Sequence, residues 1–134
     1  MATDLELIKR AFELLDSNTY EQVLPIVDEE FEMVTTAEVA SEPNTYRGPE
    51  GVRRWWLEFL DAMDRVYLEA LNYSELNDGR VIVEFIIHAR GKHSGIEAGQ
   101  PAVAIATASH GKLLRLEFFT SVESARAAAE PPPG

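Results

Sequence analysis

The chain contains no cysteine, so it has neither a disulfide framework nor a thiolate to act as nucleophile or metal ligand. It also lacks an apolar run long enough to span a membrane. Its first residues show neither the basic start nor the apolar stretch of a secretion signal. These absences predict a cytoplasmic protein that has no membrane partner.

Basic residues are scarce: 12 Lys and Arg stand against 23 Asp and Glu, which gives a net charge of −11. Binding to nucleic acid requires clustered cations that displace counterions from phosphates. The adjacent arginines Arg53 and Arg54 lie among acidic residues. We therefore expect no nucleic-acid partner, and we interpret the negative charge as a contribution to solubility.

The length of 134 residues corresponds to one domain. We assign it to residues 1–129, and we expect residues 130–134 to form a proline-rich disordered tail. Hydrophobic periodicity and turn signals predict helices first and hairpin-linked strands later. The predicted helices cover about 5–17, 20–27, 49–63 and 124–129, and the predicted strands cover 31–36, 65–77, 81–90, 102–109 and 113–120. This order predicts an α+β fold with helices on one face of an antiparallel sheet.

The segment 46–63 carries the strongest pattern in the chain. Pro49 suits the first position of a helix, and an apolar stripe with two adjacent tryptophans follows it at helical spacing. The stripe consists of Val52, Trp55, Trp56, Phe59, Leu60 and Met63. It has two interpretations: ordinary core packing, or a helix face of which part lines a ligand cavity.

Four short motifs, in this order and spacing, resemble the SnoaL-like branch of the nuclear-transport-factor-two-like superfamily, which includes ketosteroid-isomerase-like and polyketide-cyclase-like proteins. They are Tyr-Arg-Gly-Pro-Glu-Gly-Val at 46–52, Asp-Gly-Arg-Val at 78–81, Gly-Lys-His-Ser-Gly at 91–95 and Gly-Lys-Leu-Leu-Arg at 111–115. The resemblance covers roughly residues 4–129. It implies a cone-shaped curved antiparallel sheet wrapped around three helices from the N-terminal half, with a cavity between them.

The resemblance leaves the activity open, because the family contains isomerases, dehydratases, epoxide hydrolases and polyketide cyclases. The fold alone does not indicate which of these activities a member has. Family members also commonly form homodimers. Many of them carry an aspartate at the end of the last strand, where this chain has Ser121. That departure removes one acid–base candidate.

Alternation along the strand at 81–90 separates an apolar face from a mixed face that carries Glu84 and His88. Glu117 occupies the mixed face of the last strand. One interpretation makes these residues the solvated outer side of the sheet. The other places Glu84, His88 and Glu117 in the cavity as catalytic groups, because a carboxylate in an apolar site can act as a general acid or base.

Aromatic residues supply the ligand-binding candidates. They are Tyr46, Trp55, Trp56, Phe59, Phe31 and Phe85. No motif indicates a metal site, a nucleophile elbow or a phosphate loop, so we expect no metal and no cofactor. His88 and His93, five residues apart on one strand, face opposite ways and do not form a metal-binding pair.

Two hypotheses follow. In the first, the protein binds a small hydrophobic molecule in an apolar cavity, with or without cofactor-free isomerase or lyase chemistry. In the second, it is a non-enzymatic dimeric module with a filled cone. For either, we predict a homodimer formed through the outer sheet face, with four apolar residues exposed there: Ile82, Ile86, Leu113 and Phe119.

Overall fold

A computed structural model describes residues 3–35 and 45–129. The predicted tail at 130–134 lies outside these residues, and so does most of the segment 37–45, for which the sequence predicts a polar loop. In chain order the elements are helix α1 (Asp4–Leu14), a 3₁₀ helix (Tyr20–Ile26), strands β1 (Val27–Thr35) and β2 (Thr45–Arg47), helix α2 (Gly48–Ala62), strands β3 (Met63–Glu75), β4 (Val81–Gly91), β5 (Glu97–Ser109) and β6 (Lys112–Phe119), and helix α3 (Val122–Ala129).

The six strands form one curved sheet that does not close, in the order β2-β1-β6-β5-β4-β3. Neighbouring strands are antiparallel except β1 and β6, which run parallel, with Met33 opposite Leu116. The predicted α+β cone is confirmed, and the parallel pair modifies the predicted antiparallel sheet. That pair joins the first of the described strands to the last of them, so no local turn signal in the sequence predicts it.

The inner face of the sheet packs against α1, the 3₁₀ helix and α2, which are the three predicted N-terminal helices. Thr3 begins α1, since its side chain accepts a hydrogen bond from the Glu6 amide at 3.1 Å. The alternate residues Val81, Val83 and Phe85 of β4 are at most 1% exposed in this core. The apolar face of β4 therefore meets the helices, as the alternation predicts.

The outer face carries a smaller apolar cluster beneath α3. Ile82 and Phe119 are 1% and 5% exposed there, packed with Ala125. Leu113 instead belongs to the inner core, because a bulge between Thr107 and Ala108 shifts the register of β5 against β6. The prediction that Ile82, Leu113 and Phe119 are exposed on the outer face is therefore wrong. The homodimer itself stays a prediction.

Two boundaries differ notably from those predicted. Thr45–Arg47, for which the sequence predicts neither a helix nor a strand, forms the short strand β2, with Tyr46 opposite Met33. Strand β5 begins at Glu97, five residues before the predicted strand at 102–109. The β5–β6 pairing ends at Val103 opposite Phe119. Gly99 and Pro101 therefore lie on a part of β5 beyond β6, where proline is tolerated.

Candidate functional site

An apolar cavity of about 310 Å³ lies between α2 and the inner face of the sheet. Helix α2 contributes two aromatic residues, and strands β1, β3, β4, β5 and β6 contribute most of the rest. The lining consists of Thr35, Trp55, Phe59, Met63, Ile87, Ala89, Ala98, Gln100, Pro101, Ala102, Phe118 and Thr120. Small side chains on β4 and β5 leave this space open, because an alanine fills less of the interior than a larger apolar residue would.

Trp55 forms one wall of the cavity. It is 7% exposed, it stacks on Phe118 with ring centroids 5.7 Å apart, and it meets Phe59 edge-on at 5.0 Å. Its neighbour Trp56 is fully buried and stacks on Tyr20 of the 3₁₀ helix at 5.9 Å. Both tryptophans are therefore buried, as either interpretation of the apolar stripe requires, and Trp55 is the one that reaches the cavity.

Three polar side chains line the cavity from different parts of the sheet. Thr35 ends β1, Gln100 lies on β5, and Thr120 follows β6. A hydroxyl or an amide can both donate and accept a hydrogen bond. Among the described lining residues none carries an ionisable side chain. Within the part of the chain that is described, the cavity is therefore suited to a neutral molecule with one or two polar groups.

Five of the six ligand-binding candidates from the sequence, all except Tyr46, divide into two groups. Trp55 and Phe59 line the cavity, whereas Trp56, Phe31 and Phe85 are at most 1% exposed in the surrounding core.

Tyr46 packs at the start of α2. Its hydroxyl donates to the Glu58 carboxylate at 2.7 Å, and the Arg54 guanidinium lies 4.7 Å from the centre of its ring. The structure thus gives Tyr46 a partner on the outer side of α2, and its predicted role at the cavity stays a prediction.

The three catalytic candidates lie on the outer face of the sheet, on the side away from α1, the 3₁₀ helix and α2. Glu84 accepts a hydrogen bond from Asn72 at 2.9 Å. His88 lies 2.8 Å from Glu69, and Glu117 accepts from Arg115 at 3.1 Å.

These three candidates are not brought together. Glu84 and His88 lie four residues apart on β4, and Glu117 lies two strands away, opposite Ile105 of β5. None of the three is among the described residues that line the cavity. Their catalytic role stays a prediction.

Sequence reasoning missed Gln100, which is the largest polar side chain in the cavity. It stands between Gly99 and Pro101, and this composition predicts a bend instead of a strand. The register between β4 and β5 places Gln100 opposite Ile87 on the inner face, and the sequence does not predict that register. An alternating strand pattern extended backward from Ala102 would have pointed to it.

The described residues contain no group of three or more His, Asp or Glu side chains placed to hold a metal ion. Across residues 3–35 and 45–129, no helix is long and apolar enough to cross a membrane.

No family model and no curated protein sequence matches this chain. Solved structures do match over nearly all of it. An NTF2-like protein from Burkholderia thailandensis has a TM-score of 0.74 at 16% identity, covering 98% of this chain and 100% of that one. A putative SnoaL-like polyketide cyclase from Jannaschia has a TM-score of 0.68 at 15% identity, covering 99% and 97%.

A further match is a protein from Catenulispora acidiphila with a ketosteroid isomerase-like fold, crystallised with trimethylamine. It has a TM-score of 0.67 at 16% identity and covers 97% of this chain and 100% of that one. At these identities the likeness defines the architecture. The chain has the nuclear-transport-factor-two-like fold, which the sequence motifs predicted, and the cavity lies between the sheet and the helices of that fold.

Proposed function

We propose that this protein binds a small, neutral, mostly apolar molecule in the cavity beside Trp55. The observation that carries the proposal is the cavity itself, whose volume of about 310 Å³ is comparable to known ligand sites. Such sites combine apolar walls with a few placed polar groups. Here an indole ring provides a flat wall, and Thr35, Gln100 and Thr120 provide the polar groups.

The lining supports binding of a neutral ligand more directly than it supports proton transfer. General acid–base catalysis of an isomerase or lyase type requires a proton carrier within hydrogen-bond reach of the substrate. The described lining offers hydroxyls and one amide, whose ordinary role is to orient a carbonyl or hydroxyl group. The neighbour from Jannaschia is named a putative polyketide cyclase, so a ring compound carrying a carbonyl is a reasonable first ligand class to test.

The cavity also disfavours the alternative of a non-enzymatic module with a filled cone, because that alternative requires side chains to occupy this space. The homodimer, which both hypotheses include, stays a prediction that sedimentation can test. A mass near the 15.0 kDa of one chain at micromolar concentration would contradict a dimer.

The binding proposal is tested by filling the cavity. Ala102→Leu places three additional carbon atoms at a lining position. The exposed Ala127→Leu in α3 makes the same chemical change far from the cavity and is the matched control. A Trp56→Phe background leaves Trp55 as the only tryptophan, so its fluorescence reports on the cavity wall.

We expect neutral ring ketones and alcohols, with cyclohexanone, cyclohexanol and camphor as probes, to change Trp55 emission saturably. Ala102→Leu should abolish the response while the free energy of unfolding changes by about 1 kcal/mol or less, since the side chain enters existing space. Ala127→Leu should respond like the parent. The proposal fails if no probe changes the emission, or if Ala102→Leu responds as the parent does.

A further inference from the structure

A second depression, of about 230 Å³, lies on the outer face of the sheet and spans β3, β4 and β5. We call it the outer slot. Its lining is Arg65, Tyr67, His88, Ala89, Arg90, Glu97, Ala98 and Gly99. The outer slot lies on the outer face of the sheet and the cavity beside Trp55 lies on the inner face, although Ala89 and Ala98 line both spaces.

Planar groups stack across the strands at the outer slot. The Arg65 guanidinium carbon lies 4.9 Å from the centre of the Tyr67 ring. The Tyr67 and His88 rings follow, with centroids 4.6 Å apart and planes inclined by 13°. Tyr67 pairs with His88, and His88 pairs with Gly99, so the three residues form one row across adjacent strands.

The row ends at a residue without a side chain. A Cβ atom at Gly99 would lie 3.5 Å from Nδ1 of His88 and 3.2 Å from a methyl group of Ile86. The space over Gly99 therefore borders the imidazole ring directly. Because the β5–β6 pairing ends at Val103, this space lies beyond β6. A planar ring placed over Gly99 would continue the stack as its next member.

The polar side chains around the outer slot are already arranged in pairs. Arg65 donates two hydrogen bonds to Asp16, at 2.8 and 3.0 Å. Arg90 donates to Asp64 at 2.8 Å, and His88 lies 2.8 Å from Glu69.

Glu97 is the remaining charged residue of the slot. It forms no hydrogen bond or ion pair with another described residue. Its charge helps to raise the pKa of Arg90, but the effect of Asp64 on that pKa is larger. It lies two residues from Gly99 on the same face of β5, ~7 Å along the strand. An anionic ligand would be repelled by this carboxylate and by the protein's net charge of −11. A ligand with an ammonium group would pair with it.

We propose that the outer slot binds a small aromatic ring carrying an ammonium group. The ring stacks on His88 over Gly99, and the ammonium group pairs with Glu97. This site does not depend on the ligand proposed for the inner cavity.

The test uses three small aromatic probes of different charge: benzylamine, benzyl alcohol and benzoate. Imidazole resonances of the full chain are followed by NMR, with the exposed His93 and His110 as internal references. We expect benzylamine to shift the His88 resonances saturably, benzyl alcohol to bind more weakly and benzoate to leave them unchanged. Glu97→Gln should reduce the preference for benzylamine over benzyl alcohol about two- to fivefold, as expected for an exposed ion pair.

Two variants test the stacking position. Gly99→Val fills the slot and should abolish the His88 response, with circular dichroism as the check on folding. His88→Leu removes the stacking ring without crowding β5, and it should abolish saturation transfer from the protein to benzylamine. The proposal is overturned if His88 does not respond, if benzoate binds as well as benzylamine, or if a folded Gly99→Val variant keeps the response. A change in Trp55 emission without a His88 shift would also overturn it, because the amine would then occupy the inner cavity.

Discussion

Replacing Trp56 with phenylalanine is expected to leave the free energy of unfolding nearly unchanged, although Trp56 is fully buried. The reason is the indole nitrogen. Nε1 of Trp56 is a buried donor without a hydrogen-bond partner among the described residues. A buried polar group that lacks a partner typically costs about 1–3 kcal/mol. Phenylalanine removes this donor and still presents a ring to Tyr20, on which Trp56 stacks.

The opposing contribution comes from lost apolar contact. Phenylalanine lacks the nitrogen and two carbons of the indole, and at about 0.8 kcal/mol per buried carbon this loss is worth about 1.5–2 kcal/mol. The two contributions nearly cancel, so the net change should lie within about 1 kcal/mol of zero. Trp55→Phe is the matched control, because Trp55 loses the same atoms but is not among the side chains with a buried, unpartnered donor. It should be destabilised by about 1.5–2 kcal/mol.

Urea unfolding followed by far-ultraviolet circular dichroism measures both variants, since this signal does not depend on tryptophan emission. Equal m-values are needed for the comparison. The reasoning is refuted if Trp56→Phe is destabilised as much as Trp55→Phe. That result would mean that Nε1 of Trp56 is hydrogen-bonded in solution.

Two further changes follow from named contacts. Thr3→Ala removes the acceptor for the Glu6 amide at the start of α1, and urea unfolding should show a loss of about 1 kcal/mol, whereas Thr3→Ser should show almost none. Burial, and then the charge of Glu13, raises the pKa of Tyr73 above its usual 10.0. Its contribution to stability is therefore present below pH 10 and lost as pH rises toward the higher pKa of the folded state. Tyr73→Phe should flatten that alkaline decline in thermal unfolding, and an unchanged slope would contradict the assignment.

Local patterns predicted most of the elements, because helix and strand periodicity is a property of neighbouring residues. The alternation of β4 correctly placed Phe85 in the core and His88 on the mixed face. Features set by distant partners were not predicted. Leu113 faces inward because of a bulge in the pairing of β6 with β5. Gln100 reaches the cavity because β5 continues past the end of β6, where a strand tolerates the neighbouring Gly99 and Pro101. The sequence identified Trp55 as a cavity candidate, but the polar groups beside it depend on the register between strands.

The parallel pairing of β1 with β6 has a consequence for how the chain folds. The strands β3 to β6 form a continuous meander of antiparallel neighbours, whereas β1 and β2 join the sheet only through β6. Because β6 is synthesised after β1 to β5, a chain emerging from the ribosome can pair β3, β4 and β5 first but cannot attach β1 until β6 is available. Closing so long a loop is entropically costly and slows folding. The attachment of β1 to β6 is therefore expected to be a late event, and until then the inner faces of β1 and β6 remain exposed to aggregation.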